Sequence, residues 1–135
     1  MKESTRDWIE LVKRDLKAAG ELVDDEYVAN IVLFHCQQSV EKVLKAVLEE
    51  FEVDVPKVHS IIRLYSLLPQ QARENVKTIQ AELELLDEIY ISVRYPLSIG
   101  MLPEGFPTKK RAEETLKLSS RIVNDIMKYL QKKQV

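Results

Sequence analysis

Apolar residues recur at three- and four-residue steps along almost the whole chain, which is the period of amphipathic helices. Trp8, Val12, Leu16, Ala19 and Val23 form a first stripe, and Ser4 followed by Asp7 resembles a capping box that opens it. Asp24 or Asp25 then caps a second helix to about residue 50, with Leu33, Val40, Leu44, Val47 and Phe51 on its apolar side. A linker at 52–57 is stopped by Pro56, and a short helix over about 60–68 ends at Pro69. A fourth helix is expected over about 72–94 with Ile79, Leu83, Leu86, Tyr90 and Val93 inward. A last one is expected over about 108–130 with Ala112, Leu116, Ser119, Ile122, Val123, Ile126 and Leu130 inward. The long irregular segment is 95–106. Pro96 disfavours helical geometry at Tyr95, so the fourth helix must stop there. Four long helices and one short helix predict an all-α fold, a five-helix antiparallel bundle, as a single domain over 1–135.

Composition supports that picture. Apolar residues are 45% and charged residues 31%, a globular balance for a chain long enough to bury its own core. No apolar run approaches the roughly 18 residues of a membrane span. The first residues carry acids where a secretory leader needs an apolar stretch. Cys36 is the single cysteine, which excludes an internal disulfide and a cysteine zinc cluster and predicts a cytoplasmic, reducing setting. A buried, inert thiol is expected there. Two histidines, His35 and His59, without carboxylates at ligand spacing do not suggest a transition-metal site. A phosphate-binding glycine loop is absent from the sequence.

Charge is uneven. Residues 1–107 hold 12 Lys/Arg and 19 Asp/Glu, and residues 108–135 hold eight and three, so a net −7 is followed by a net +5. The basic end suits either a solvated helix face or a docking surface for RNA or an acidic partner.

Several polar residues stand where the pattern calls for apolar ones. Asp15 lies within the first stripe, three residues after Val12 and four before Ala19. On the second helix Gln38, Glu41 and Lys45 share a face, with Gln37 and Lys42 beside them. On the fourth, Asp87, Tyr90 and Arg94 share one, and His59 opens the short helix. Burying Asp15 requires a cationic or hydrogen-bonding partner, for which Lys42 and Arg94 carry the right charge. Asp15, Lys42, Tyr90 and Arg94 are therefore expected to converge on one cleft. That cleft either binds a phosphate, nucleotide or carboxylate, or is a polar network that sets the bundle's register.

These same residues carry a resemblance. Phe34-His35-Cys36-Gln37-Gln38-Ser39-Val40-Glu41-Lys42-Val43-Leu44-Lys45-Ala46 is similar to the signature of the HEPN family (higher eukaryotes and prokaryotes nucleotide-binding). Trp8 with Asp15-Leu16 resembles the family's first helix, and His59 with Leu64 and Leu67-Leu68 its short histidine-led helix. Leu86-Asp87-Glu88-Ile89-Tyr90 through Arg94-Tyr95-Pro96 resembles its Arg-Tyr-Pro segment. The resemblance implies a helical bundle, often a homodimer, that partners a small nucleotidyltransferase in toxin–antitoxin or stress modules. It also implies a nucleotide such as ATP as the candidate ligand of a cleft made by Asp15, Gln38, Glu41, Lys42, Lys45, His59, Asp87, Tyr90, Arg94 and Tyr95. A homodimer further suits the apolar residues Leu97, Ile99, Met101, Leu102 and Phe106 of the irregular segment.

The family also includes metal-independent ribonucleases that pair an arginine with a histidine separated from it by four to six residues. This sequence departs from that pattern. The matching window holds Val28, Ala29 and Asn30 before His35, and Glu52, Val53 and Asp54 before His59. After Arg94 it holds Ile99, Gly100 and Met101. The reading is therefore a non-catalytic binding protein. The alternative is a ribonuclease with a divergent site around Arg94.

Overall fold

The computed structural model describes residues 1–94 and 105–132, and the helices found there are α1 (Glu3–Leu22), α2 (Ala29–Glu50), α3 (Ile61–Leu67), α4 (Gln70–Glu74), α5 (Gln80–Arg94) and α6 (Lys109–Lys132). A 3-10 turn, Glu26–Val28, leads into α2, and Asp25 caps that turn by accepting the Tyr27 amide at 3.0 Å. The fold is all-helical, as the periodicity predicts.

α2 is the axis of the bundle. From Val40 to Leu48 only Lys42 escapes full burial, because α1, α3, α5 and α6 all pack on this helix. Leu33, Leu44 and Leu48 of α2, Ile61 and Leu64 of α3, Leu86 and Ile89 of α5, and Ile122, Ile126 and Leu130 of α6 are almost wholly removed from water. Each such side chain contributes about 1.5–3 kcal/mol by burial, so this cluster dominates the favourable side of folding. α2 ends in a helix-terminating turn in which the Val53 amide reaches the Leu48 carbonyl (2.9 Å) and the Glu52 amide the Glu49 carbonyl (3.2 Å). That turn puts Glu52 at φ 58°, a left-handed position usually taken by glycine.

Three local expectations are corrected. Ser4 and Asp7 do not cap α1, since Lys2 is the cap residue and its side chain makes no capping bond. Glu50, at the end of α2, instead receives the Lys2 amide and the Thr5 hydroxyl, both at 3.0 Å. The fourth helix is not continuous over 72–94 but breaks between Glu74 and Gln80. There the Glu82 carboxylate turns back to accept the Ile79 amide and the Thr78 hydroxyl, both at 3.1 Å, and so starts a new helix. Ile79, expected inward, is 64% exposed. α6 holds the break: the Arg121 guanidinium donates to Glu82 at 2.6 Å and to the Lys77 carbonyl, and Asp125 accepts the Lys77 amide at 3.1 Å.

Candidate functional site

Two buried carboxylates sit on neighbouring faces of one stretch of α2, and each is held by one imidazole and one ammonium. Asp15 of α1 accepts from His35 Nδ1 at 2.9 Å through Oδ1 and from Lys42 Nζ at 2.7 Å through Oδ2. His35 and Lys42 are seven residues apart, two turns, so they meet α1 from the same side of α2. Asp15 is 7% exposed, and these partners satisfy both of its oxygens.

Glu41, 4% exposed, faces a direction about 100° away from Lys42 around the helix. Its Oε1 accepts from His59 Nδ1 at 3.2 Å and from Gln37 Nε2 at 3.5 Å, and its Oε2 from Lys45 Nζ at 3.1 Å. Gln37, Glu41 and Lys45 are spaced four apart, so they form one ladder along the helix. Gln37 also donates to the His59 carbonyl at 3.3 Å and accepts from Gln38 Nε2 at 2.8 Å. Lys45 lies 5.7 Å from the centre of the Trp8 ring, a cation–π contact that ties α1 to this group.

An ionised carboxylate can only accept, so Nδ1 carries the hydrogen in both imidazoles and Nε2 is left to face another partner. For His59 that matters more, because half of its side chain is exposed, against a quarter for His35. The His59 ring stacks on Tyr90 of α5, with centroids 4.7 Å apart and planes within 16°. Asp87, one turn before Tyr90, accepts the Ser60 hydroxyl (2.9 Å) and the amides of Ile61 and Ile62 at the start of α3. It fixes the helix that follows His59 and spends its oxygens doing so.

The expected single cleft is therefore divided. Asp15 joins Lys42 as anticipated, with His35 as a further partner that the periodicity did not single out. The clue was present in the seven-residue step from His35 to Lys42. Gln38, Glu41, Lys45, His59 and Tyr90 come together as the second group, and Asp87 adjoins it through α3. The Arg94 side chain and Tyr95 lie outside the described residues, as do Leu97, Ile99, Met101 and Leu102. Phe106 is 39% exposed.

Cys36 is fully buried, and burial pushes its thiol up to about 12, so it stays protonated and inert at neutral pH. Among the described residues no three His, Cys, Asp or Glu side chains gather at metal-binding distance, and no helix is long and apolar enough to cross a membrane.

Comparison with known proteins gives one family and two solved relatives. The HEPN domain profile matches residues 5–130. The chain is similar to the crystal structure of TT1696 from Thermus thermophilus, at 27% identity and a TM-score of 0.75, over 94% of this chain and 98% of that one. It is also similar to ST0689, described as an archaeal HEPN homologue, at 25% identity and a TM-score of 0.67, over 96% of this chain and 98% of that one. No curated protein matches it.

Proposed function

Because this chain belongs to the HEPN domain family, we propose that it is a non-catalytic binding protein of the cytoplasm that partners a small nucleotidyltransferase in a toxin–antitoxin or stress module. In this reading it acts as a homodimer and holds a nucleotide such as ATP at the ledge made by Gln38, His59 and Tyr90. The observation that carries the ligand site is His59. A buried carboxylate orients it, a tyrosine stacks on it, and its Nε2 has no partner among the described residues. Lys42 and Lys45 are neutralised by Asp15 and Glu41, so they serve the fold and not the phosphates. The cation this reading requires is Arg94, one turn after Tyr90 on α5, whose planar fork suits a phosphate.

Calorimetry with ATP, on the protein alone and with its nucleotidyltransferase, tests this. Arg94→Ala and Tyr90→Ala are expected to abolish heat of binding while the melting temperature stays nearly unchanged. A wild-type protein that binds no nucleotide in either setting would leave the two carboxylate groups as structural networks only. Light scattering is expected to give twice the 15.7 kDa of the chain.

A second reading has one observation in its favour. A carboxylate-held histidine with an open Nε2 is the arrangement of a general acid–base group, so Glu41 and His59 suit the ribonuclease alternative near Arg94. Cleavage of a mixed RNA by the purified protein, lost in His59→Ala, would replace the first reading with this one.

A further inference from the structure

A concavity among the described residues lies away from both carboxylate groups. α1 and α6 each pack on α2 but touch one another sparingly, which leaves a groove between them. It opens as a cleft of about 690 Å³ beside Val23 and Leu116, and continues into one of about 320 Å³ beside Leu16 and Met127. The two share Asn124 and Lys128, so they form one trough. From Glu113 to Gln131 it follows α6 for about 27 Å, or five helical turns.

Its floor is apolar, and its edges carry mixed charge at the Val23 end and lysines at the Leu16–Met127 end. Leu16, Val23, Leu116 and Met127 are only partly covered by the core. Lys13 on the α1 side, and Lys117 and Lys128 on the α6 side, have no ion pair or hydrogen bond among the described residues. Acids share the rim at the Val23 end: Lys109 lies 3.6 Å from Asp24 and 3.9 Å from Glu113, one ammonium between two carboxylates, and Asp125 accepts the Lys77 amide and keeps its charge. Arg121 is spent on Glu82. With the Arg121–Glu82 pair set aside, four lysines (Lys13, Lys109, Lys117, Lys128) face three acids, and the positive excess lies at the Leu16–Met127 end, where Lys13 and Lys128 line the cleft and no acid does.

Gly20 adds an independent observation. It shares the α1 face of Leu16 and Val23, and a Cβ placed there would meet nothing within 4 Å. Glycine is a poor helix residue, and nothing packed against this one requires its small size inside the protein. It leaves open space on the face of α1 that carries Leu16 and Val23.

We propose that this trough receives an acidic amphipathic helix of a partner protein, laid between α1 and α6 as one more helix of the bundle. The apolar floor takes the partner's apolar stripe, as helices pack in two-helix grooves. Lys13 on one edge, and Lys117 and Lys128 three turns apart on the other, meet carboxylates flanking that stripe. RNA is the poorer fit, since a phosphodiester chain gains nothing from Leu16, Val23, Leu116 and Met127. This site is separate from the His59 ledge, and neither depends on the other.

The test uses the full-length protein and a fluorescent 18-residue helical peptide with leucines on one face and glutamates beside them. A lysine-for-glutamate version and a uridine 12-mer serve as controls. Fluorescence anisotropy should show saturable binding of the acidic peptide alone, weakened roughly tenfold or more by the combined Lys13→Glu, Lys117→Glu and Lys128→Glu variant. Gly20→Leu should raise the melting temperature yet lose the peptide, which separates an occluded trough from a damaged fold. Unchanged affinity in Gly20→Leu, or failure of the acidic peptide to bind, would overturn the proposal. Displacement of the peptide by the uridine 12-mer would overturn it in favour of RNA. A wild-type dimer that Gly20→Leu turns into monomer would overturn it in favour of a second copy.

Discussion

Glu82 of α5 and Arg121 of α6 meet at 2.6 Å across the point where the chain breaks between α4 and α5. The same carboxylate accepts the Ile79 amide and the Thr78 hydroxyl, so one side chain both starts α5 and ties it to α6. Burial alone would push the Glu82 carboxyl up. The hydrogen bonds from Arg121, Ile79 and Thr78 outweigh that effect and hold it below its ordinary value.

The sign of the pH dependence follows. A carboxyl whose folded value is depressed contributes stability above its unfolded value, near 4.5, and loses it as pH falls through the lower folded value. Glu82→Gln is therefore expected to cost about 1 kcal/mol at pH 7, with the pair's partial exposure keeping the figure small. The difference from wild type should shrink as pH drops below 4.5. Thermal melts of both proteins at pH 7, 5, 4 and 3 measure it, and a gap that widens in acid would contradict the assignment.

Asp15 and Lys42 should couple strongly. Lys42→Ala leaves a 7%-exposed carboxylate with His35 alone and is expected to cost about 3 kcal/mol. Asp15→Leu combined with Lys42→Met should recover most of that loss, because no buried charge then remains unpaired. Urea titrations of the two single variants and the double variant give the coupling. Additive losses would show that the pair contributes little.

Glu52→Gly is expected to stabilise the protein by about 1 kcal/mol, since the left-handed turn after α2 strains any residue with a Cβ. The ion pair lost with it, Lys2 to Glu52 at 3.2 Å, is exposed and weak. A fall in urea midpoint would show that this ion pair outweighs the strain.

The Cys36 thiol should react with a thiol reagent only after unfolding. Burial raises it to about 12, so the folded state favours the neutral form and stability is lost as pH rises from 9 towards 12. Mass spectrometry after exposure to iodoacetamide at pH 8, with and without denaturant, checks the first point. Rapid labelling of the folded protein would refute it.

Much of the fold was legible because helical periodicity is a local property. The stripes in α1, α2 and α6, the Ser60 start of α3, and the stop at Pro69 follow from residues within a few positions of each other. Pairings within one helix were equally accessible, which is why Glu41 and Lys45 fell on a common face before any contact was known.

The rest depended on partners far along the chain. The apolar period runs on through 75–79, so the sequence by itself reads a continuous helix. The break is held by Arg121 and Asp125, more than forty residues away, which no local pattern announces. Glu50, not Ser4, closes the start of α1 for the same reason. Whether Asp15 would meet Lys42 or Arg94 was likewise a question of which helices adjoin. Charge makes either pairing favourable, and only the packing of α1 against α2 brings Lys42 and His35 within hydrogen-bond reach.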